Sequence, residues 1–232
     1  MMKNEVNFSL DGYRDLLNAF LAAGYEFRLF DKRPCTERCV YLRHDLDFSV
    51  EYALPIAEIE NELGINSTYF VLMNSKLYNL FDDDNVKILR RISEMGHMIC
   101  LHVDEYSLCN QSDFVCQMEA FLKMIPFATS SFISRHRPNL SSPGTPWLPN
   151  GYIDVYSDSF FKDIEYASDS RGEWKYGYPT NRQAFLQKSS FQLLTHPLWW
   201  VHNSSTSNKE KIQLLLERRF AEGEQSLSFL KF

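Results

Sequence analysis

Residues 67–103, STYFVLMNSKLYNLFDDDNVKILRRISEMGHMICLHV, contain one unit of the pattern that decides the fold. Residues 67–73 form an apolar, β-rich run that predicts a strand. Residues 85–95 have apolar side chains at helical spacing, and Gly96 follows as a stop signal. Residues 97–103 are again typical of a strand. Strand, helix and strand in this order predict a parallel β-α-β unit.

The same alternation continues on both sides of this unit. Further helices are predicted over residues 10–23, 50–63, 113–125 and 209–220, and further strands over 25–30, 39–44, 131–137, 164–167 and 191–195. Residues 139–156 are rich in Pro, Gly and Ser and predict a long loop over one end. An α/β chain of 232 residues suits a parallel barrel built as one domain, in which functional groups collect where the strands end.

Composition and charge exclude several classes of function. Hydrophobic residues make up 44% and charged residues 23% of the chain, the balance of an ordinary globular protein with a full core. The net charge of -6 argues against a nucleic-acid partner. No stretch approaches the roughly 20 apolar residues that span a bilayer, and the N-terminus lacks the apolar segment of a secretory signal. We therefore expect a soluble, cytoplasmic protein without a membrane span.

The cysteines do not predict a disulfide framework or a structural zinc site. They are five in number, an odd count, without a repeating spacing. Cys35 and Cys39 form a lone C-x3-C with no second pair, which argues against a zinc knuckle. Reduced thiols are the simpler interpretation.

Two carboxylates stand two residues apart at the end of the strand predicted over 39–44. Strand side chains alternate, so Asp45 and Asp47 project to one side while Leu46 points to the other. Two close carboxylates repel each other unless a cation lies beside them. The alternative is structural, because Asp47 and Ser49 precede a predicted helix and suit its N-cap. Both interpretations stay open on these residues alone.

Histidines end three other predicted strands. His102 shares a strand face with Asp104, His136 and Arg137 close the strand over 131–137, and His196 follows the strand over 191–195. In a parallel sheet these ends meet at one edge, so the histidines and the D-x-D pair are expected to converge. His44 and His97 alternate to the opposite side of their strands, which indicates structural roles.

At these residues the chain resembles a known family, the polysaccharide deacetylases with the NodB homology domain. The motifs that carry the resemblance are Arg43-His44-Asp45-Leu46-Asp47, Ser67-Thr68-Tyr69-Phe70-Val71, the stretch 95–102, His136-Arg137-Pro138 and Leu193-Leu194-Thr195-His196. The resemblance implies one distorted (β/α) barrel of about seven parallel strands over residues 1–232, with the helices at 10–23 and 209–220 packed on it. Residues 166–170 and 196–200 are similar to a branch associated with bacterial surface-glycan biosynthesis.

The resemblance also implies a role for each motif residue. Asp45 corresponds to the general base and His196 to the general acid, while Asp47 and His102 correspond to ligands of a divalent metal ion. Arg137 corresponds to the arginine that orients the catalytic aspartate. Zinc suits such mixed nitrogen and oxygen ligands, and cobalt or iron could substitute.

The third metal ligand is missing from its usual place. Tyr106 stands four residues after His102, where the family pattern has a second histidine. A phenol is a poor ligand because its pKa lies near 10. His136 and Asp104 are the candidates, and we favour His136, although the match of Arg137 to the inward-pointing motif residue aims His136 away in an ideal strand.

The expected function is hydrolysis of an N-acyl group from an amino sugar in glycan biosynthesis. Trp199 and Trp200 are candidates for stacking on a sugar ring, with core packing as the alternative. Asp169 is a candidate for binding a substrate hydroxyl or amine, with a turn as the alternative. Two other functions stay open: hydrolysis of another C–N bond, such as a formamide or cyclic amide, and a glycan-binding relic without catalysis.

Overall fold

The structure is a computed structural model that describes residues 7–35, 37–138 and 145–228. Its helices are α1 (Leu10–Ala22), α2 (Ala53–Glu62), α3 (Asp83–Glu94), α4 (Gln111–Met124), α5 (Asp158–Phe161), α6 (Gln183–Leu186) and α7 (Asn208–Leu227). Its strands are β1 (Glu26–Phe27), β2 (Cys39–Leu46), β3 (Thr68–Leu72), β4 (Met98–Asp104), β5 (Phe132–His136), β6 (Ile153–Asp154), β7 (Glu165–Ser168) and β8 (Phe191–Thr195).

Seven strands form a parallel sheet in the order β6-β5-β4-β3-β2-β8-β7, and the short β1 pairs with the start of β2. The sheet curls into a half-barrel with helices outside it, which confirms the predicted distorted (β/α) barrel. The predicted helices and strands are present, most with small shifts at their ends, but the strand predicted over 25–30 is reduced to β1 and the helix predicted over 209–220 continues to Leu227. The long loop predicted over 139–156 is wrong in part, because β6 and the buried Trp147 lie within it, while residues 139–144 fall outside the described part of the chain.

The two faces of β2 show how the barrel divides its contents. Tyr41 packs in the barrel interior, in an aromatic core that also contains Phe30, Phe70 and Phe132. Val40 and Leu42 lie on the opposite face and pack against α1 and α2. The interior core stops part-way along the strands, and polar side chains follow it toward their carboxyl ends. Polar side chains therefore line the interior of the barrel at the carboxyl ends of its strands.

Local signals place the helices that surround the site. The hydroxyl of Ser207 accepts a hydrogen bond from the Glu210 amide, and the Glu210 carboxylate accepts one from the Ser207 amide, so a capping box starts α7. Pro55 lies in the first turn of α2, where its missing N–H costs no helical hydrogen bond. Pro55 would interrupt a helix that begins at residue 50, as the sequence pattern predicts, but it is accommodated because α2 begins at Ala53.

The structure bears on two expectations from composition, the membrane span and the cysteines. Within residues 7–35, 37–138 and 145–228, no helix is long and apolar enough to cross a membrane. All five cysteines lie in that part of the chain and are free thiols, as predicted. Location in the cell stays a prediction.

Candidate metal centre and active site

A cavity of about 720 Å³ opens at the carboxyl ends of β2, β4, β5 and β8. The predicted site residues that line it are Asp45, Asp47, His102, His136, Arg137, His196 and Trp199. They come from four strand ends and the turns that follow them, as expected for a parallel barrel. The cavity also has an apolar wall that includes Phe48, Leu194 and Ile212.

Asp47, His102 and His136 bring three ligand atoms together. The Asp47 Oδ1 lies 3.1 Å from His102 Nε2 and 3.2 Å from His136 Nδ1. All three ligand atoms lie within 4.8 Å of one another. Ligands at 2.0–2.1 Å from a tetrahedral zinc ion are themselves about 3.3 Å apart, so this spacing fits a metal ion of that size. The structure thus assembles His136, and not Asp104, with the two predicted ligands.

The hydrogen bonds around the cluster also fit a cation. His102 Nδ1 lies 3.2 Å from the Ser134 carbonyl oxygen, and donation to this oxygen leaves Nε2 of the neutral ring as a lone pair that faces Asp47. Asp47 Oδ1 is buried and accepts no hydrogen bond from the described residues. Burial raises the pKa of the Asp47 carboxyl, but the imidazoles of His102 and His136 outweigh burial and hold this pKa well below its usual range. A carboxylate oxygen next to two imidazole nitrogens is a donor set that suits a divalent cation such as zinc.

Strand alternation explains why His136 reaches the cluster. Phe132, Ser134 and His136 are alternate residues of β5, so they share the interior face. Arg137 follows with a φ of 51°, a left-handed value that takes the chain out of the strand before Pro138. The His136 side chain therefore points into the barrel, whereas the motif match predicted that it points away.

Asp104 and Tyr106 lie apart from the cluster. Asp104 accepts a hydrogen bond from Arg137 at 3.0 Å and another from the Tyr106 amide. The Tyr106 side chain is 71% exposed. The alternative in which Asp104 completes the ligand set is therefore not the one that the structure assembles.

Asp45 is buried next to the cluster and is held by an arginine of its own strand. Arg43 donates to Asp45 Oδ2 at 2.9 Å, and Ser134 Oγ lies 3.4 Å from the same oxygen. The guanidinium also donates to Tyr156 and Gln192 at 2.7 and 3.0 Å. Burial disfavours the charge of Arg43, but Asp45 together with Tyr156 and Tyr166 outweighs burial, and the pKa of Arg43 is raised. The carboxylate is thereby fixed beside the three ligand atoms, with Oδ2 3.7 Å from His102 Nε2.

The position expected for Arg137 requires a correction. Its guanidinium pairs with Asp104, its side chain is 64% exposed, and Arg43 occupies the place beside Asp45. The reason is the backbone turn after β5, which directs Arg137 along the cavity rim. Arg43 could have been found from the sequence, because it precedes Asp45 by two residues and so lies on the same face of β2.

His196 reaches the cluster from the end of β8. Its Nε2 lies 3.8 Å from Asp47 Oδ2, and its Nδ1 contacts Asp169 Oδ1 at 2.7 Å. Burial lowers the pKa of His196, but the hydrogen bond and charge of Asp169 outweigh it and raise the pKa to about 9. Asp169 therefore holds Nδ1 of the ring, and Nε2 is the nitrogen directed toward the cavity.

The proposed substrate roles of Asp169 and Trp200 are not supported by their positions. Asp169 is fully buried, and it accepts hydrogen bonds from the His196 amide and from Trp200 Nε1. Trp200 is also fully buried and packs on Phe8 and Tyr13. Asp169 orients the His196 ring, and Trp200 in turn holds the Asp169 carboxylate. Trp199 differs, because it lines the cavity next to Phe48.

A direct comparison of the two arginines tests the assignment. Arg43→Lys should lower kcat/KM roughly 10- to 150-fold, because a hydrogen bond to a charged group contributes about 1.5–3 kcal/mol and Lys lacks the fork that reaches three partners. Arg137→Lys should lower it less than about threefold, since exposed ion pairs contribute at most about 1 kcal/mol. Both are measured by steady-state kinetics on folded, metal-loaded protein. Equal losses in the two variants would return the role to Arg137.

Comparison with known proteins finds structural neighbours only. No family model matches the chain, and no curated protein does. The catalytic domain of a peptidoglycan N-acetylglucosamine deacetylase from Eubacterium rectale is 15% identical, with a TM-score of 0.45 over 87% of this chain and 91% of that one. A deacetylase from Streptococcus pyogenes is 13% identical, with a TM-score of 0.43 over 89% of this chain and 86% of that one.

A family 4 carbohydrate esterase pseudoenzyme from Bacillus anthracis is also similar in structure. It is 16% identical, with a TM-score of 0.40 over 77% of this chain and 60% of that one. The neighbours are polysaccharide deacetylases and carbohydrate esterases, the class that the sequence motifs resemble. At these identities the likeness concerns the fold, and the chemistry has to come from the residues of this site.

Proposed function

We propose that the protein is a metal-dependent hydrolase that removes an N-acyl group, such as acetyl, from an amino sugar. The observation that carries the proposal is the placement of a buried carboxylate and a buried imidazole within 4 Å of one ligand cluster. Asp45 Oδ2 lies 3.7 Å from His102 Nε2, and His196 Nε2 lies 3.8 Å from Asp47 Oδ2. Hydrolysis of an amide needs a base for the attacking water and an acid for the leaving amine on opposite sides of the carbonyl.

The residues that would hold the metal ion are Asp47, His102 and His136. Two nitrogen ligands and one oxygen ligand with an open position match catalytic zinc sites, so zinc is the proposed metal. When bound there, such an ion lowers the pKa of water and polarises a carbonyl oxygen. His102 is oriented by the Ser134 carbonyl, which fixes the nitrogen that it presents to the ion.

The remaining side chains of the site divide the proton transfers between them. Asp45 takes the proton of the attacking water, and the hydrogen bond from Arg43 holds this carboxylate in place. His196 gives its Nε2 proton to the leaving nitrogen, while Asp169 holds Nδ1–H and stabilises the imidazolium until transfer. Phe48 and Trp199 offer an apolar wall for the C–H face of a sugar ring. A role in bacterial surface-glycan biosynthesis is part of the proposal.

An activity screen tests this function. Metal-loaded protein is incubated with amino sugars that carry N-acetyl or N-formyl groups, and released acid and free amine are both quantified. Release of the acid with an equal amount of amine is the expected result. Protein that is folded and metal-loaded but releases no acid from the whole panel contradicts the proposal. Ring opening of a cyclic amide tested alongside, without acid release from any amino sugar, favours the other C–N hydrolase.

Metal titration tests the ligand set independently of turnover. We expect about one divalent ion per chain, and His136→Ala should weaken its binding by at least about 100-fold, more than the 10–100-fold typical of losing a group that only orients a ligand. Tyr106→Phe is the matched control, because it alters the position where the family pattern has its histidine. It should bind metal like the wild type. Unchanged binding in His136→Ala would show that His136 is not a ligand, and a folded wild type without metal affinity would favour a glycan-binding relic.

A further inference from the structure

Two basic side chains of the cavity wall have no acidic partner among the described residues. Arg171 and Lys209 both line the cavity, and both are exposed. The other two basic residues of the wall are engaged: Arg135 pairs with Glu105 at 3.2 Å and with Asp154 at 2.8 Å, and Arg137 pairs with Asp104. Two positive charges thus face one cavity without an acidic side chain among the described residues to pair with them.

The backbone holds Arg171 in a costly conformation. Its φ and ψ are 64° and 17°, in the left-handed region that side-chain-bearing residues rarely adopt. The side-chain amide of Asn208 donates to the carbonyl oxygens of Arg171 and Gly172, each at 3.0 Å. A Cβ on Gly172 would lie 2.4 Å from the Asn208 amide nitrogen. The loop is therefore clamped to the start of α7, which places Arg171 beside the helix turn that carries Lys209.

Lys209 also stands where its charge is unfavourable to its own helix. It is the second residue of α7, and a positive charge in a first helical turn opposes the helix dipole. The carboxylate of the adjacent Glu210 accepts the Ser207 amide at 2.7 Å and forms no ion pair with Lys209 among the contacts of the described residues. The side chains of Arg171 and Lys209 make no ion pair with the described residues, so both positive charges are available to an anion in the cavity.

We infer that the substrate carries a phosphate or pyrophosphate group, bound by Arg171 and Lys209, next to the amino sugar whose N-acyl group reaches the metal cluster. The sugar part of this inference rests on the proposed function. A planar guanidinium binds phosphate oxygens through paired hydrogen bonds, and an ammonium adds a point charge. A neutral glycan chain carries no negative charge that could pair with the two cations at the cavity mouth. The same anion occurs in sugar phosphates, nucleoside diphosphate sugars and prenyl phosphate sugars.

Binding measurements on matched ligand pairs test the inference. Calorimetry on the metal-loaded protein compares methyl N-acetylglucosaminide with N-acetylglucosamine 1-phosphate, with the UDP-linked sugar and with a short-chain prenyl phosphate sugar. We expect at least one phosphate-bearing ligand to bind about tenfold or more tightly than the neutral ligand. The ligand that binds most tightly identifies the carrier.

The double variant Arg171→Gln/Lys209→Gln separates these two cations from anion binding at the metal. It should lose most of the preference for phosphate, whereas Lys123→Gln/Lys175→Gln, which removes the same charge from exposed positions outside the cavity wall, should keep it. Equal affinity for neutral and phosphate ligands, no binding of any phosphate ligand, or a preference that survives in the double variant overturns the inference. Failure of the proposed function is a different result, since phosphate ligands then bind with this dependence but release no acid.

Discussion

Asp45→Asn should lower turnover of an N-acyl amino sugar roughly 10²–10⁴-fold, the loss typical of a missing general acid or base. The amide has the size of the carboxylate and can still accept a hydrogen bond from Arg43, so the surrounding contacts are preserved. It cannot take a proton from water. Metal binding should stay near the wild-type value because the ligand atoms belong to Asp47, His102 and His136.

The experiment measures kcat, metal stoichiometry and Tm in parallel. Asp104→Asn serves as the control, because Asp104 ends a neighbouring strand and pairs with an arginine of the same cavity rim but lies outside the ligand cluster. It should retain turnover within about threefold, as expected for the loss of a weak exposed pair. If Asp45→Asn keeps more than about a tenth of wild-type turnover with metal bound, another group is the base.

Strand alternation made much of this site predictable. Asp45, Asp47, His102 and His196 follow apolar strands, and parallel strands bring their carboxyl ends together, so their convergence needed no knowledge of long-range contacts. The same rule applied to β5 places His136 on the interior face with Ser134. The motif match pointed the other way because it aligned Arg137 with the inward-pointing arginine of the family. The backbone turn at Arg137 takes that side chain out of the strand and leaves His136 on the interior face.

Contacts between distant segments are the part that the sequence could not provide. Asp169 and His196 are 27 residues apart and meet because β7 pairs with β8. From the sequence, Asp169 could equally be a turn residue or a substrate ligand, since nothing local shows what its carboxylate accepts. Arg171 and Lys209 likewise meet at one cavity through a side-chain clamp between a loop and a helix. Periodicity carries no information about such a pairing.

A second buried cluster lies behind the strand that carries Asp45, on the outer face of the sheet. His44 Nε2 contacts Glu60 Oε1 at 2.7 Å, and Ser67 and Tyr69 donate to Glu60 Oε2 at 2.7 and 2.8 Å. Tyr13 of α1 donates to the same carboxylate. Glu60 is fully buried, so one charged group of α2 ties together α1, β2 and the start of β3. The structural role that strand alternation predicts for His44 agrees with this position.

Glu60→Gln should lower the free energy of unfolding at pH 7 by about 3–5 kcal/mol, the cost of removing one partner from a buried charged network. In the glutamine variant the amide NH₂ group, which can only donate, would face hydroxyl groups that now donate hydrogen bonds to the carboxylate. Glu58→Gln is the matched control, since Glu58 belongs to the same helix but forms an exposed pair with Arg91. It should change stability by less than about 1 kcal/mol. Equal effects of the two substitutions in denaturant unfolding would show that the buried network contributes nothing specific.

The stability loss in Glu60→Gln should depend on pH. Burial raises the pKa of Glu60, but the charge and hydrogen bond of His44 and the other donors outweigh burial and lower the pKa from 4.5 to about 2. A carboxyl with a depressed pKa in the folded state stabilises the protein above its unfolded pKa of 4.5, and that stabilisation is lost as the pH falls toward 2. A difference of 2.5 pKa units (4.5 minus 2) corresponds to on the order of 3 kcal/mol. The stability gap between wild type and Glu60→Gln should therefore be widest above pH 4.5 and narrow as the pH falls below it, whereas a gap that stays constant from pH 7 down to pH 3 would show that the charge of Glu60 is not what stabilises the fold.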